Sequence, residues 1–323
     1  MGLVYLILFH KEPDQLFRLI DTLNEGPVCF VVHVCKNFDD FDSLEERART
    51  YDNLVFCERE RGTWGSYPTV KATFNGIEKA LTFSHEFSHI VLLSAQDYPL
   101  RSNREIQGFL QLNQGRTFME ALECQPPLNE DGEYYHPIKH QWTSRDESGR
   151  YKFFNLKIHK NFYVRLHDEP DPRGGLGAMF KYLLRKSLAT LVGAREFYPE
   201  LKPFFGPVWC IYAREHCLYL HEHFPVHSSY HRYMQNVFCP DEMFFHTALM
   251  NSEHKEAIRN VCLHYTRWTE YNHPDIFKRD CLEELQTAAV DKLFARKFDL
   301  DVDPVILDQI DAKLLLETTE RSG

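Results

Sequence analysis

A chain of 323 residues, 43% hydrophobic and 26% charged, has the composition of a globular protein and is long enough for one large α/β domain or two small ones. Its formal net charge of −10 excludes a protein that grips nucleic acid through a broad basic surface, so an anionic ligand must be caught by a local cluster of cations. No apolar run approaches the length of a membrane span.

From the N-terminus, LVYLILFH (3–10) is densely apolar with no basic region before it, which predicts a first strand and not a signal peptide. EPDQLFRLIDTLNEG follows, with Leu16, Leu19, Ile20 and Leu23 at helical intervals and Gly26 as the stop. PVCFVVHV (27–34) is a second strand. Strand, helix, strand is a βαβ unit, and strands so uniformly apolar belong to a parallel sheet covered on both faces. NLVFCE (53–58) predicts a third strand, YPTVKATFNGIEKALTF a second amphipathic helix, and HIVLLSAQDYPL (89–100) a fourth strand ending in a turn. The first hundred residues therefore predict a doubly wound nucleotide-binding half. Ligands of such a sheet sit beyond the carboxyl ends of the strands, where His10, Cys35 and Asp97 fall.

Residues 124–175 are polar and turn-rich, the pattern of a functional lid or of disorder. From about 205, FFGPVWCIYAREHCLYLHEHF predicts a strand and then a helix. PDEMFFHTALMNS (240–252) opens another helix, with Pro240 beside its start and Asp241 and Glu242 in its first turn. There is no internal repeat and no clear domain linker. The nine cysteines contain no Cys-x-x-Cys pair and lie mostly in apolar stretches, which predicts free buried thiols in a reducing, cytoplasmic setting.

Two stretches invite metal chemistry. KLFARKFDLDVDPVILDQID (292–311) contains Asp299, Asp301 and Asp303 at the spacing of an Asp-x-Asp motif that holds a divalent ion on a diphosphate. Just before them, Arg296 and Lys297 are fixed cations able to hold a diphosphate with no metal. The alternation of the acids with Leu300 and Val302 predicts a strand or turn packing one side inward. In the His-rich stretch, His221, His223, His227 and His231 raise a zinc site, but there is no His-Glu-x-x-His and the segment is polar and amphipathic.

Six pieces, YLILFHKEPDQLFRLIDTL, TWGSYPTVKAT, LLSAQDYPLRSNREIQGFL, PDEMFFHTALMNS, NHPDIFKRD and LFARKFDLDVDPVILDQID, resemble in order the core-2/I-branching glycosyltransferases, a family that includes the peptide xylosyltransferases. They span nearly the whole chain apart from 124–200. The resemblance implies a GT-A fold, with a mostly parallel central sheet flanked by helices in a single domain. It divides that domain into a nucleotide-sugar-binding half (1–123), a variable region (124–204) and an acceptor-binding and catalytic half (205–323). It implies a UDP-sugar donor, a glycan or glycoconjugate acceptor, inversion at the anomeric centre and no metal or other cofactor, with N-acetylglucosamine favoured as the sugar.

The site residues follow from the matched positions. Negative charge builds on the departing β-phosphate, and cations placed there lower the barrier. Arginine grips phosphate in bidentate fashion and lysine acts as a point charge. The resemblance gives this role to Arg296 and Lys297, which leaves the Asp-x-Asp string a structural one. Glu242 matches the family's general base, a carboxylate that takes the proton of the attacking hydroxyl. Leu8, His10, Cys35, Trp64 and Asp97 fall on the donor side, and Glu120 and Trp209 join Glu242 on the acceptor side. Taken singly, each has a plainer reading: a surface cation pair, acids at a helix start, a turn carboxylate, tryptophans of the core.

The chain also departs from the pattern. Cys35 stands where many relatives carry an aspartate that hydrogen-bonds uracil; a thiol is a poor acceptor, so recognition of uracil must be weaker or come from backbone groups, and the nucleotide base itself is left open. Val208 stands where the xylosyltransferases carry an aspartate, which counts against xylose. Lacking an anchor and paired cysteines, the chain compares best with a soluble, bacterial-type member, cytoplasmic or touching a membrane only at its surface. The alternatives are xylosyl transfer and a metal-dependent transferase using Asp299 and Asp301. From another class comes a non-catalytic nucleotide-sugar-binding protein, against which the joint presence of Glu242 and the Arg296–Lys297 pair argues.

Overall fold

Gly2–Phe9 (β1) and Val28–Val34 (β2) pair in parallel at the heart of a seven-stranded sheet, joined by a helix over Pro13–Leu23 (α1). In the computed structural model the described residues are 2–62, 65–84, 86–123, 134–135, 150–151, 198, 200–235, 237, 239–269 and 274–316. The helix α1 stops at Leu23, ahead of Gly26, whose φ of 75° suits a residue without a side chain. Further helices at Phe41–Ala48 (α2) and Pro68–Phe83 (α3) bracket the strand Leu54–Phe56 (β3), and Phe87–Ser94 (β4) pairs with β1 on the side away from β2.

The period-two alternation of β1 explains how the sheet is covered. Leu3, Tyr5, Ile7 and Phe9 join one apolar cluster with the buried face of α1, while Val4 and Leu6 join the opposite cluster with Val70, Phe74 and Ile77 of α3. At Gly76 the helix α3 comes so close to β1 that any side chain would collide with Leu6.

Asn103–Leu112 (α4) opens on a capping box formed by Ser102 and Glu105 and leads to Thr117–Phe118 (β6). The strand Ile211–Ala213 (β7) inserts between β4 and β6 and runs antiparallel to both, because the chain reaches it from the carboxyl end of β4. Ile258–Arg259 (β8) closes the edge in parallel with β6. Helices at Arg214–His223 (α5), Ser229–Met234 (α6) and Phe244–Met250 (α7) lie between β7 and β8 in the chain and pack mainly into the cluster of α3. The expected mostly parallel, helix-flanked sheet is therefore present, with one antiparallel member.

Two expectations are corrected. HIVLLSAQDYPL is not one strand: after β4 the chain turns, and Asp97–Pro99 (β5) leaves for a second sheet. The turn is fixed by Asp97, whose carboxylate accepts hydrogen bonds from the Ser94 amide at 2.8 Å and hydroxyl at 2.7 Å. In the second sheet Phe294–Arg296 (β10) pairs antiparallel with β5 and parallel with His264–Thr266 (β9), so that Arg296 faces Asp97 across the strands. Second, Pro240–Glu242 is a separate 3-10 turn, and α7 begins only at Phe244. Asp241 makes no capping bond to that helix; its side chain pairs with Thr69. After Leu282–Ala288 (α8) and β10, residues 299–303 form a turn and not a strand, leading into Val305–Ile310 (α9). Among the described residues no helix is long and apolar enough to cross a membrane.

Candidate active site

His10 after β1, Asp97 after β4, and Arg296 and Lys297 at the end of β10 lie within electrostatic reach of one another. Arg296, at the end of β10, has a side chain only 11% exposed. Its guanidinium carbon lies 3.9 Å from the centre of the Trp209 ring, and Nη1 lies 3.8 Å from Asp97 Oδ1. That separation is too long for a hydrogen bond, and Nε and Nη1 are buried with no partner among the described residues. Asp97 is wholly buried and holds both Ser94 bonds; burial raises its carboxyl pKa, opposed by the charge of Arg296. The carboxylate thus faces Arg296 from within the fold.

Lys297 is half-buried, and no carboxylate among the described residues lies within ion-pair distance of it. Partial burial and then the neighbouring charges of Arg296 and Lys11 lower its pKa. His10, following β1, is similarly lowered by desolvation and by Lys297, Lys11 and Arg296. Three cations and an imidazole therefore crowd together on a chain whose overall charge is negative. The loop carrying Lys297 is held by buried amides: Gln15 and Gln96 both donate to the Phe298 carbonyl, at 3.0 and 3.3 Å, and Gln15 also accepts from the Leu300 amide.

The acids of the Asp-x-Asp string serve the same loop. Asp299 pairs with Lys11 at 2.7 Å and accepts from Gln96 and from the Asp301 amide. Asp303 accepts from the Arg279 side chain at 2.9 and 3.2 Å and caps Val305; the Arg279 bonds hold its pKa down at about 2. Asp301 is exposed. The histidines are spread over separate duties. His231 donates from Nε2 to the Phe224 carbonyl and accepts at Nδ1 from the Tyr67 hydroxyl, while His221 faces Glu78 on the surface. Among the described residues no group of three His, Cys, Asp or Glu side chains could hold a metal ion.

Glu242 is buried, 7% exposed, and its Oε2 has no hydrogen-bond partner among the described residues. Burial, and secondarily the charge of Asp241, pushes its pKa well above the ordinary glutamate value. Its backbone carbonyl accepts from the Gly206 amide at 3.0 Å, and a side chain at Gly206 would collide with the Glu120 carbonyl and the His246 ring. The missing side chain at 206 thus lets the Glu120 and Glu242 backbones approach one another. Glu120 and Trp209 are both half-buried, and the Cys262 thiol, which feels the charges of Glu120 and Arg296, donates to the Trp209 carbonyl at 3.6 Å.

On the other side, Leu8 lies opposite His33 and Ser94 in the sheet. Cys35 is buried beyond β2, its amide bonded to the Phe9 carbonyl and its thiol 3.9 Å from the Gly62 carbonyl. Asn37 donates to the same carbonyl at 3.4 Å. Trp64 lies outside the described residues. The fold thus brings Arg296, Lys297, His10, Asp97 and Trp209 together and sets Leu8 and Cys35 at neighbouring strand ends. Glu120 is linked to Glu242 through Gly206. Lys11, Gln15, Gln96 and His264 escaped the sequence reading; their partners lie far away in the chain, so no local spacing marks them.

Fold and site define a class first: an open α/β sheet with cations gathered beyond the carboxyl ends of its strands, where sheets of this kind bind their ligands. Residues 3–293 match the family model described as Core-2/I-Branching enzyme, and the chain belongs to that family of glycosyltransferases. Xylosyltransferase 2 of Rattus norvegicus and of Homo sapiens are each 25% identical over 334 residues, covering 97% of this chain and 33% of the relative. Xylosyltransferase oxt of Drosophila melanogaster is 22% identical over 329 residues, covering 95% of this chain and 32% of its own length. The chain therefore spans about a third of these relatives. The crystal structure of S. aureus TarS 1-349 overlaps 44% of this chain and 40% of that one, at 14% identity and a TM-score of 0.28, a likeness too partial to bear on the site.

Proposed function

We propose that the chain moves a sugar from a UDP-sugar to a hydroxyl of a glycan or glycoconjugate, inverting the anomeric centre without a metal ion. The observation that carries this reading is the state of the cations: among the described residues the buried Nε and Nη1 of Arg296 have no hydrogen-bond partner, and Lys297 beside it has no carboxylate within ion-pair distance. A buried donor left unsatisfied is costly, so a fold that keeps one supports an anionic ligand at that place.

The chemistry follows from the side chains. The acceptor oxygen attacks the anomeric carbon from the face opposite UDP while its proton passes to Glu242. The bond between that carbon and the β-phosphate oxygen breaks, its electron pair stays with the phosphate, and Arg296 and Lys297 offset the charge. A carboxylate whose pKa is raised by burial is the stronger base once ionised, and Oε2, with no hydrogen-bond partner among the described residues, is the oxygen to take the proton. One displacement gives inversion.

N-acetylglucosamine and xylose are the two sugars to separate. The branching side of the resemblance and Val208 favour the first. The xylosyltransferases that align with 95–97% of this chain favour the second. A panel of UDP-sugars, scored for thermal stabilisation and for hydrolysis in excess chelator, tests both the donor and the mechanism. Turnover of one UDP-sugar in chelator is expected; complete loss with rescue by manganese would favour metal use through Asp299 and Asp301.

A further inference from the structure

Arg296 lies against a row of rings. Its guanidinium carbon is over the Trp209 ring, 3.9 Å from the centre; the indole neighbours His264 at 6.1 Å between ring centres, tilted by 40°, and His264 in turn stacks on Phe294 at 5.2 Å and 22°. The Trp209 backbone is pinned from the side by the Cys262 thiol. Nothing else fixes the guanidinium: Asp97 stands off at 3.8 Å with both of its oxygens engaged by Ser94, and no hydrogen bond from the Arg296 side chain reaches a described residue.

An aromatic face and a carboxylate hold arginine in different ways. A carboxylate would occupy the N–H edge and cancel the charge. A ring attracts the cation through its quadrupole, fixes the guanidinium plane and leaves the in-plane donors free. We infer that Trp209 is a positioning residue for the diphosphate site, acting through Arg296 by fixing its guanidinium plane while leaving its N–H donors open to phosphate. This deepens the donor reading above and rests on it. It also moves Trp209 from the acceptor side, where the resemblance placed it, to the leaving-group side. His264 fits the same device: its side chain is wholly buried, with neither ring nitrogen hydrogen-bonded among the described residues and Nε2 4.0 Å from Asp97 Oδ2, and desolvation, then Arg296 and Lys292, lower its pKa to about 3. No second cation then competes for the indole.

The test is a double-mutant cycle read by calorimetric binding of UDP and of inorganic pyrophosphate. Trp209→Leu should weaken both about ten-fold, Trp209→Phe should recover most of that loss, and in an Arg296→Ala background Trp209→Leu should have no further effect. A folded Trp209→Leu protein that binds both ligands as wild type does, with only the acceptor KM raised, overturns the inference. So does an equal loss in the Arg296→Ala background, which would mark general damage. If Trp209→Leu does not fold, the cycle is run with Trp209→Phe, for which a loss of about two-fold confined to the Arg296 background is expected and its absence is decisive against the inference. Wild-type protein that binds neither UDP nor pyrophosphate would overturn the donor reading itself, which the unmutated arm reports separately.

Discussion

Glu242 combines burial with an acidic side chain whose Oε2 has no hydrogen-bond partner among the described residues. Replacing it with Gln should cost about 10²–10⁴ in transfer rate while leaving UDP affinity nearly unchanged, as measured by steady-state kinetics beside calorimetry. Retention of most activity would place the base elsewhere, with Glu120 the next carboxylate to test. The same substitution should stabilise the fold. Burial raises the folded pKa above that of an unfolded glutamate, so as pH rises the unfolded chain gives up this proton first. Below the ordinary carboxylate range both states are protonated and nothing is lost; above it the folded state bears a growing penalty until pH passes the raised pKa. Glu242→Gln should therefore melt above wild type at neutral pH, with the gap closing on acidification. An equal or lower melting temperature at neutral pH would contradict the burial argument. Individual residues were only partly legible in sequence. Arg296 and Lys297 stood out because two cations precede three acids within a matched segment. The contact of Trp209 with Arg296, and Asp97 as the carboxylate facing it, were not legible, since a tertiary ring contact brings the first pair together and strand pairing the second.

At the scale of elements, the loop after β10 is a small tertiary assembly: Lys11 and Gln15 reach it from the start of α1, and Gln96 from the turn before β5. Asp299 is its centre. Asp299→Asn should lower stability by about 1–3 kcal/mol, toward the smaller figure because Lys11 is partly exposed, while Asp301→Asn, at an exposed position, should be near neutral. Denaturant melts check this; the reverse order, or a loss of activity on Asp301→Asn that manganese restores, would revive the metal reading. Asp303 adds a pH signature. Its folded pKa is depressed to about 2, so its contribution is fully present above the ordinary aspartate range and lost as pH falls toward that value. Asp303→Asn should flatten the acid limb of the stability curve, and an unchanged limb would contradict the role of the Arg279 pair. The long elements were readable because apolar runs and helical spacing mark them over many residues. The turn at Asp97 was readable as well, but not that Asp97–Pro99 continues as a strand of a second sheet, because its partner β10 lies far along the chain. Nor was the antiparallel β7, three residues long and oriented by the route of the chain.

For the molecule as a whole, a net charge of −10 surrounds a place where Arg296, Lys297 and Lys11 gather, so the positive field proposed to attract a diphosphate is local. Six matched pieces conveyed the family because they come in one order along nearly the whole chain, from β1 to the loop after β10. The acceptor is a different matter, since specificity resides in loops and the variable region 124–204 falls mostly outside the described residues. The central claim is that protein cations, and not a metal, hold the leaving diphosphate. Calorimetric UDP binding in excess chelator, for wild type and for the Arg296→Ala/Lys297→Ala double variant, tests it most directly. The account predicts that wild type binds equally well with and without chelator, and that the double variant loses at least about 1.5–3 kcal/mol of binding, the worth of a charge-assisted contact. Wild-type binding that vanishes in chelator and returns with manganese, alongside a double variant that still binds UDP as wild type does, would contradict it.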